Sequence, residues 1–241
     1  MELFLDVIKA VRLFSEQSGS RRVWDMNHTH DWPTGGRSNI VLKNDLGLEL
    51  GSPDYESVSS LLWTETPGHV SDGRITLVGP DFSEYPGKNL PLGKIVIVQG
   101  QGFDVDNAYE RHRNMDELRY NLDLKGFMLR AVSQFMREWC RISISALKNG
   151  FNVRILGSSL LTLLRAEPYV TGAEVIYFTS SKEDVIKLRD ITTPAERIIV
   201  AMNKMAVEMD FDCSSCEFQS VCNEATELRA MQEKLKHEKH N

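Results

Sequence analysis

The chain has no excess of basic residues: Lys and Arg total 28 against 34 Asp and Glu, a formal net charge of -6. A nucleic-acid binder normally carries a clear positive surplus, so nucleic acid is not expected as the main partner. Nor is there a run of the roughly 20 apolar residues that a bilayer crossing needs. Nor are residues 1–14 expected to be a signal sequence, because Glu2, Asp6, Lys9 and Arg12 interrupt the apolar Leu3, Phe4, Val7, Ile8 and Val11 at helical spacing. Residues 1–14 are therefore expected to form an amphipathic helix, with no membrane partner and a cytoplasmic location. Cysteine is scarce, four in 241 residues, which excludes a disulfide framework. No glycine-rich phosphate loop, nucleophile elbow or zinc-protease helix is present, so hydrolase and kinase readings have no residue to start from.

What is present is an ordinary globular composition, 41% hydrophobic and 26% charged. Residues 19–36 are rich in Gly, Ser, Asn and Pro and read as a loop. Residues 39–42, 49–50 and 58–63 are strand candidates that would pair with one another. Asp72-Gly73 suits a tight hairpin turn ahead of a strand from Arg74, and Ile95-Val96-Ile97-Val98 reads as the central strand of a sheet covered on both faces. Residues 104–148 read as two charged helices broken near 121–126, with Gly150 ending the second. Strand, helix and strand are expected at 152–156, 160–164 and 174–178, and Pro194 suits the first turn of a helix running to about residue 209. The fold class that results is α/β: a mixed sheet flanked by helices, with a C-terminal helical tail carrying a cysteine cluster. The divisions expected are residues 1–36 as a helix and loop, 37–190 as the α/β domain, and 191–241 as the tail.

Cys213, Cys216 and Cys222 form a C-x2-C-x5-C pattern, in which a two-residue gap lets two thiolates turn towards one ion. An iron–sulfur cluster, of the [4Fe–4S] type, and a zinc ion both suit three thiolates, and iron–sulfur is the expectation adopted. The fourth position is open to Cys140, to His237, to a partner or to a substrate. Reduced, unliganded thiols in a loop satisfy the same spacing. His28 and His30, with Asp25 and Asp31, form a second and weaker metal candidate. Gly100-Gln101-Gly102 follows a strand but lacks the third glycine of a dinucleotide fingerprint, and a turn accounts for it.

Several segments resemble one family in the order in which they occur. Asp72-Gly73-Arg74 through Gly79-Pro80-Asp81, then Asn89-Leu90-Pro91-Leu92-Gly93, looks like a stretch of the acetyl-CoA synthase subunit of CO dehydrogenase/acetyl-CoA synthase. Glu49-Leu50-Gly51-Ser52-Pro53, Glu110-Arg111-His112-Arg113 and Trp139-Cys140-Arg141-Ile142-Ser143 are similar to further segments of it, over roughly residues 46–179. The resemblance implies an α/β domain that handles coenzyme A, and arginines suit its phosphates because their forks are planar and permanently charged. Arg111, Arg113, Arg137 and Arg141 are the candidates, with Arg119 and Arg130 beside them. Arg137 and Arg141 would share one helical face. Family members join a methyl group, CO and coenzyme A at a nickel–iron–sulfur centre that needs a downstream Cys-Gly-Cys. No such motif follows Cys222 here, so nickel is not expected. The resemblance implies protein partners in a one-carbon or corrinoid system. If the chain is part of an enzyme, acyl or methyl transfer with a partner is the reaction class implied. The alternative is a zinc-stabilised structural or regulatory module without catalytic activity.

Overall fold

The structure, a computed structural model, describes residues 2–26, 32–36, 39–85, 87–104, 106–133, 137–207, 219–224, 227–228 and 230–231. Helix α1 (Leu5–Gln17) buries Val7, Ile8 and Val11, the apolar stripe read from the sequence. The strands are β1 (Arg21–Asp25), β2 (Leu46–Leu50), β3 (Ser57–Thr64), β4 (Arg74–Val78), β5 (Asn89–Leu90), β6 (Leu92–Gly100), β7 (Phe127–Ser133), β8 (Arg137–Ser143) and β9 (Val170–Phe178). The later helices are α2 (Ala108–Glu117), α3 (Ile144–Lys148), α4 (Val153–Arg165), α5 (Lys182–Val207) and α6 (Gln219–Glu224).

The class is α/β with mixed pairing, as expected, but the described residues form two sheets. The first runs β1-β4-β9-β6-β3, and the second β5-β2-β8-β7. In the first, β3 with β6 and β4 with β9 are parallel, whereas β6 with β9 and β1 with β4 are antiparallel. Helix α5 packs on β3 and β6 and α1 packs on α5, with Phe14 stacked on Phe178 at 5.4 Å between ring centroids. Helix α4 lies over β9 and β4. Gly157 permits that approach, since a Cβ there would sit 3.0 Å from Ile75. The second sheet meets the first through β8 against β3.

Several local expectations are corrected. The stretch read as a loop at 19–36 contains β1, an edge strand whose residues are exposed or half-buried in alternation. Residues 39–42 form no strand, and β2 and β3 lie in different sheets instead of pairing. Gly73 does take a positive φ of 76°, yet β4 pairs with β1 and β9, so its turn is not a hairpin. The apolar run in β6 is interior and buried as foreseen, but the middle strand is β9.

The largest correction concerns residues 127–133 and 137–143, which form β7 and β8 instead of part of a second helix. In β8 Arg137, Trp139 and Arg141 are half-buried while Glu138, Cys140 and Ile142 are buried, a period of two that belongs to a strand. Residues 152–156 open α4, because the Asn152 side chain accepts from Ile155 N at 3.1 Å and caps it. Pro194 sits inside α5, which starts at Lys182 behind a Ser181 hydroxyl that accepts from Asp184 N. A proline in a helix interior removes one amide donor. The Thr192 and Thr193 hydroxyls donate to the Leu188 and Arg189 carbonyls just before it.

Candidate functional site

Segments far apart in sequence meet where the two sheets join. Across the β2–β8 ladder Glu49 faces Arg141 and Leu50 faces Cys140, so the Glu49-Leu50-Gly51 and Trp139-Cys140-Arg141 stretches are neighbours. Ser57 Oγ donates to the Glu138 carbonyl at 2.7 Å and accepts from Glu138 N at 3.0 Å, a side chain replacing a ladder partner between β3 and β8. Gly51, at φ 63°, lies under this joint, and a Cβ there would come within 2.4 Å of the Glu138 carbonyl. Asp81 Oδ1 accepts from Phe82 N at 2.7 Å and from Val153 N at 3.0 Å, tying the Gly79-Pro80-Asp81 turn to the first turn of α4.

Within the joint is a buried ionic cluster. Lys94 Nζ pairs with Glu138 Oε2, and each side chain is only 5% exposed. Ser59 Oγ donates to the same oxygen at 3.2 Å, and Arg119 Nη1 stands 3.8 Å from it. Arg119 also donates to Asp116 Oδ2 at 2.6 Å. Burial pushes the Glu138 carboxyl upward, but Lys94 and Arg119 outweigh it and hold the group below the usual range. Cys140 donates to Glu138 Oε1 at 3.5 Å, and burial, then the Glu138 charge, raises its thiol well above the usual value. Cys140 is fully buried, in the setting of a small apolar core residue. Ser60 Oγ and Arg119 Nε, both buried without a hydrogen-bond partner among the described residues, border a cavity with room for about one water molecule.

The other face of β8 is different in kind. Trp139 lies there with the Arg130 guanidinium 4.6 Å and the Arg141 guanidinium 5.6 Å from its ring centroid, both within cation–π reach. Arg141 Nε also meets Glu49 Oε1 at 2.6 Å, whereas Arg137 donates to the Tyr55 carbonyl at 3.2 Å. A cleft of about 410 Å³ opens beside β7, lined in part by Asn39, Tyr120, Asp123, Met128 and Arg130. That size is in the range of small-molecule sites.

The four arginines selected from the sequence fall into two groups. Arg137 and Arg141 do share a face, through the two-residue period of a strand and not through helical spacing. Arg111, on α2, donates to the Gln101 and Gly102 carbonyls at 2.9 and 2.5 Å and lies over the Phe103 and Tyr169 rings. Arg113 is exposed and paired with Glu117 at 2.9 Å. No described contact joins this pair to the β8 face. The metal candidates Cys213 and Cys216 lie outside the described residues, as do His28, His30 and Asp31, while Cys222 is placed only as backbone in α6. Among the described residues no group of three or more His, Cys, Asp or Glu is arranged to hold a metal ion.

Sequence reasoning did not find Lys94, Glu138 or the role of Arg130. A lysine in the middle of an otherwise apolar strand was the available signal for the first, since a buried ammonium requires a paired acid.

The architecture is thus a two-sheet α/β protein with an internal salt-bridged joint and a basic, aromatic outer face. The sequence model of the CO dehydrogenase/acetyl-CoA synthase complex beta subunit matches residues 36–185, and the chain belongs to that family. Among its relatives, the acetyl-CoA decarbonylase/synthase complex subunit beta of Archaeoglobus fulgidus is 26% identical over 191 residues, 73% of this chain and 34% of that protein. The carbon monoxide dehydrogenase/acetyl-CoA synthase subunit alpha of Moorella thermoacetica is 27% identical over 188 residues, again 73% of this chain but 24% of the relative. The Methanothermobacter thermautotrophicus beta subunit is 30% identical over 135 residues, 55% of this chain and 28% of its own length. The chain therefore spans about a third or less of these relatives. No described helix is long and apolar enough to cross a membrane.

Proposed function

We propose that this chain is an acetyl-CoA synthase-like component of anaerobic one-carbon or corrinoid metabolism that acts in the cytoplasm with a protein partner. In this reading it binds coenzyme A, or a ligand with the same phosphate chemistry, on the outer face of β7 and β8. It also carries an iron–sulfur cluster on Cys213, Cys216 and Cys222. Acyl or methyl transfer would be completed by the partner. The observation that carries the ligand site is the 410 Å³ cleft opening beside Arg130, with Arg137 and Arg141 on the adjoining strand. Relatives named as subunits of a complex support the partner. The three-cysteine spacing supports the cluster, where bound iron and sulfide would supply one-electron chemistry.

Protein purified without oxygen tests both halves. Iron and sulfide are expected in the wild type and lost in Cys216→Ala. Coenzyme A titrated by calorimetry should bind the wild type, and Arg137→Gln should weaken it about tenfold or more, the range of one lost charge-assisted hydrogen bond. Zinc alone would replace the cluster reading with a metal-stabilised module, and absence of coenzyme A binding would remove the ligand site.

A further inference from the structure

The arginines on the outer face of the second sheet are held unequally. Arg130 and Arg141 both lie over the Trp139 indole, at 4.6 and 5.6 Å. Arg141 is fixed: its Nε meets Glu49 Oε1 at 2.6 Å across the β2–β8 ladder, and the two side chains are only 15% and 13% exposed. A charge-assisted hydrogen bond shielded in this way is stronger and less screened by salt than one in open solvent. Arg130 is exposed, at the irregularity where the β7 register shifts between Leu129 and Ala131. It has no carboxylate partner among the described residues, and neither does Arg137, whose bond is to the neutral Tyr55 carbonyl.

Resting on the reading that this face takes a phosphate-bearing ligand, we propose that Glu49 is its positioning residue. Glu49 pins Arg141 beside Trp139 and cancels its charge. Arg130 is then the guanidinium that gives way when a ligand approaches the indole, and Arg130 and Arg137 are the two charges left for anions. The Glu49 position thereby sets both the geometry of the stack and the net charge that the ligand meets.

Two readouts test this, one of them independent of any ligand. The first is Trp139 emission and its quenching by acrylamide in the wild type, Glu49→Gln, Arg141→Gln and the double variant. The same set with Trp139→Phe serves as the blank for Trp24, Trp32 and Trp63. Each single variant should change the Trp139 signal, the double variant should change it no further, and the blank should stay constant. An unchanged signal in Glu49→Gln, or additive changes, would overturn the positioning role. The second readout is a titration with coenzyme A at low and high salt. Glu49→Gln should bind several-fold tighter at low salt, because Arg141 gains an uncompensated charge, and the gain should collapse in high salt. Should the glutamine variant fail to fold, Glu49→Asp keeps the charge but withdraws it, and it should shift the Trp139 signal while leaving the coenzyme A affinity near that of the wild type. A wild type that does not bind coenzyme A sinks the ligand reading, while the emission cycle still decides on Glu49. Binding by the wild type with an additive cycle sinks only the role of Glu49.

Discussion

His112 should make this protein lose stability in mild acid, by an amount that can be isolated. It lies on α2, 3% exposed, with Nδ1 buried and without a hydrogen-bond partner among the described residues, and with Phe4 at 6.3 Å between ring centroids. Burial, reinforced by the Arg119 charge, lowers its pKa from 6.5 to about 4. The unfolded chain takes up this proton below pH 6.5, whereas the folded protein resists it until about pH 4. The unfolded state therefore binds more protons across that window, and stability falls as pH falls. The contribution is fully present above pH 6.5 and declines to a loss of up to about 3 kcal/mol near pH 4. Half-buried Asp81 and Asp116 and buried Glu174 act in the opposite direction, because desolvation raises their pKa and the fold binds their protons more readily. The measurement is thus a difference: urea unfolding of the wild type and of His112→Leu at several pH values between 4 and 7.5. The wild type should lose stability relative to the leucine variant as pH drops through this range. A difference that stays flat to within about 0.5 kcal/mol would refute the reasoning, since it would mean that the imidazole titrates alike in both states.

Two further outcomes follow from the joint between the sheets. Asp81→Ala removes acceptors from the amides of Phe82 and Val153 and should cost about 1–2 kcal/mol in urea unfolding, the range of a lost helix cap, with Asp81→Asn recovering part of it. Glu138→Gln strands the Lys94 ammonium in the interior and should cost about 3–5 kcal/mol, whereas Lys94→Met with Glu138→Leu should restore most of that loss. A double variant no more stable than the single one would show that the pair contributes beyond its mutual compensation.

The sequence alone determined the elements whose cause is local. The α1 stripe, the apolar β6, the turn at Gly73 and the α/β class follow from spacing and turn chemistry that act over a few residues. The family was also legible, because its motifs lie in order along the chain. What misled was charge. Arg130, Glu138 and Arg141 give residues 127–143 the look of a solvated helix, and only the neighbouring strands show that alternate residues serve two different environments. Tertiary structure decided the sheet order, the burial of Lys94 against Glu138, and the meeting of Glu49 with Arg141 across 92 positions. No short-range pattern encodes these pairings. They exist because a buried charge must find its opposite, and the topology alone determines which one is within reach.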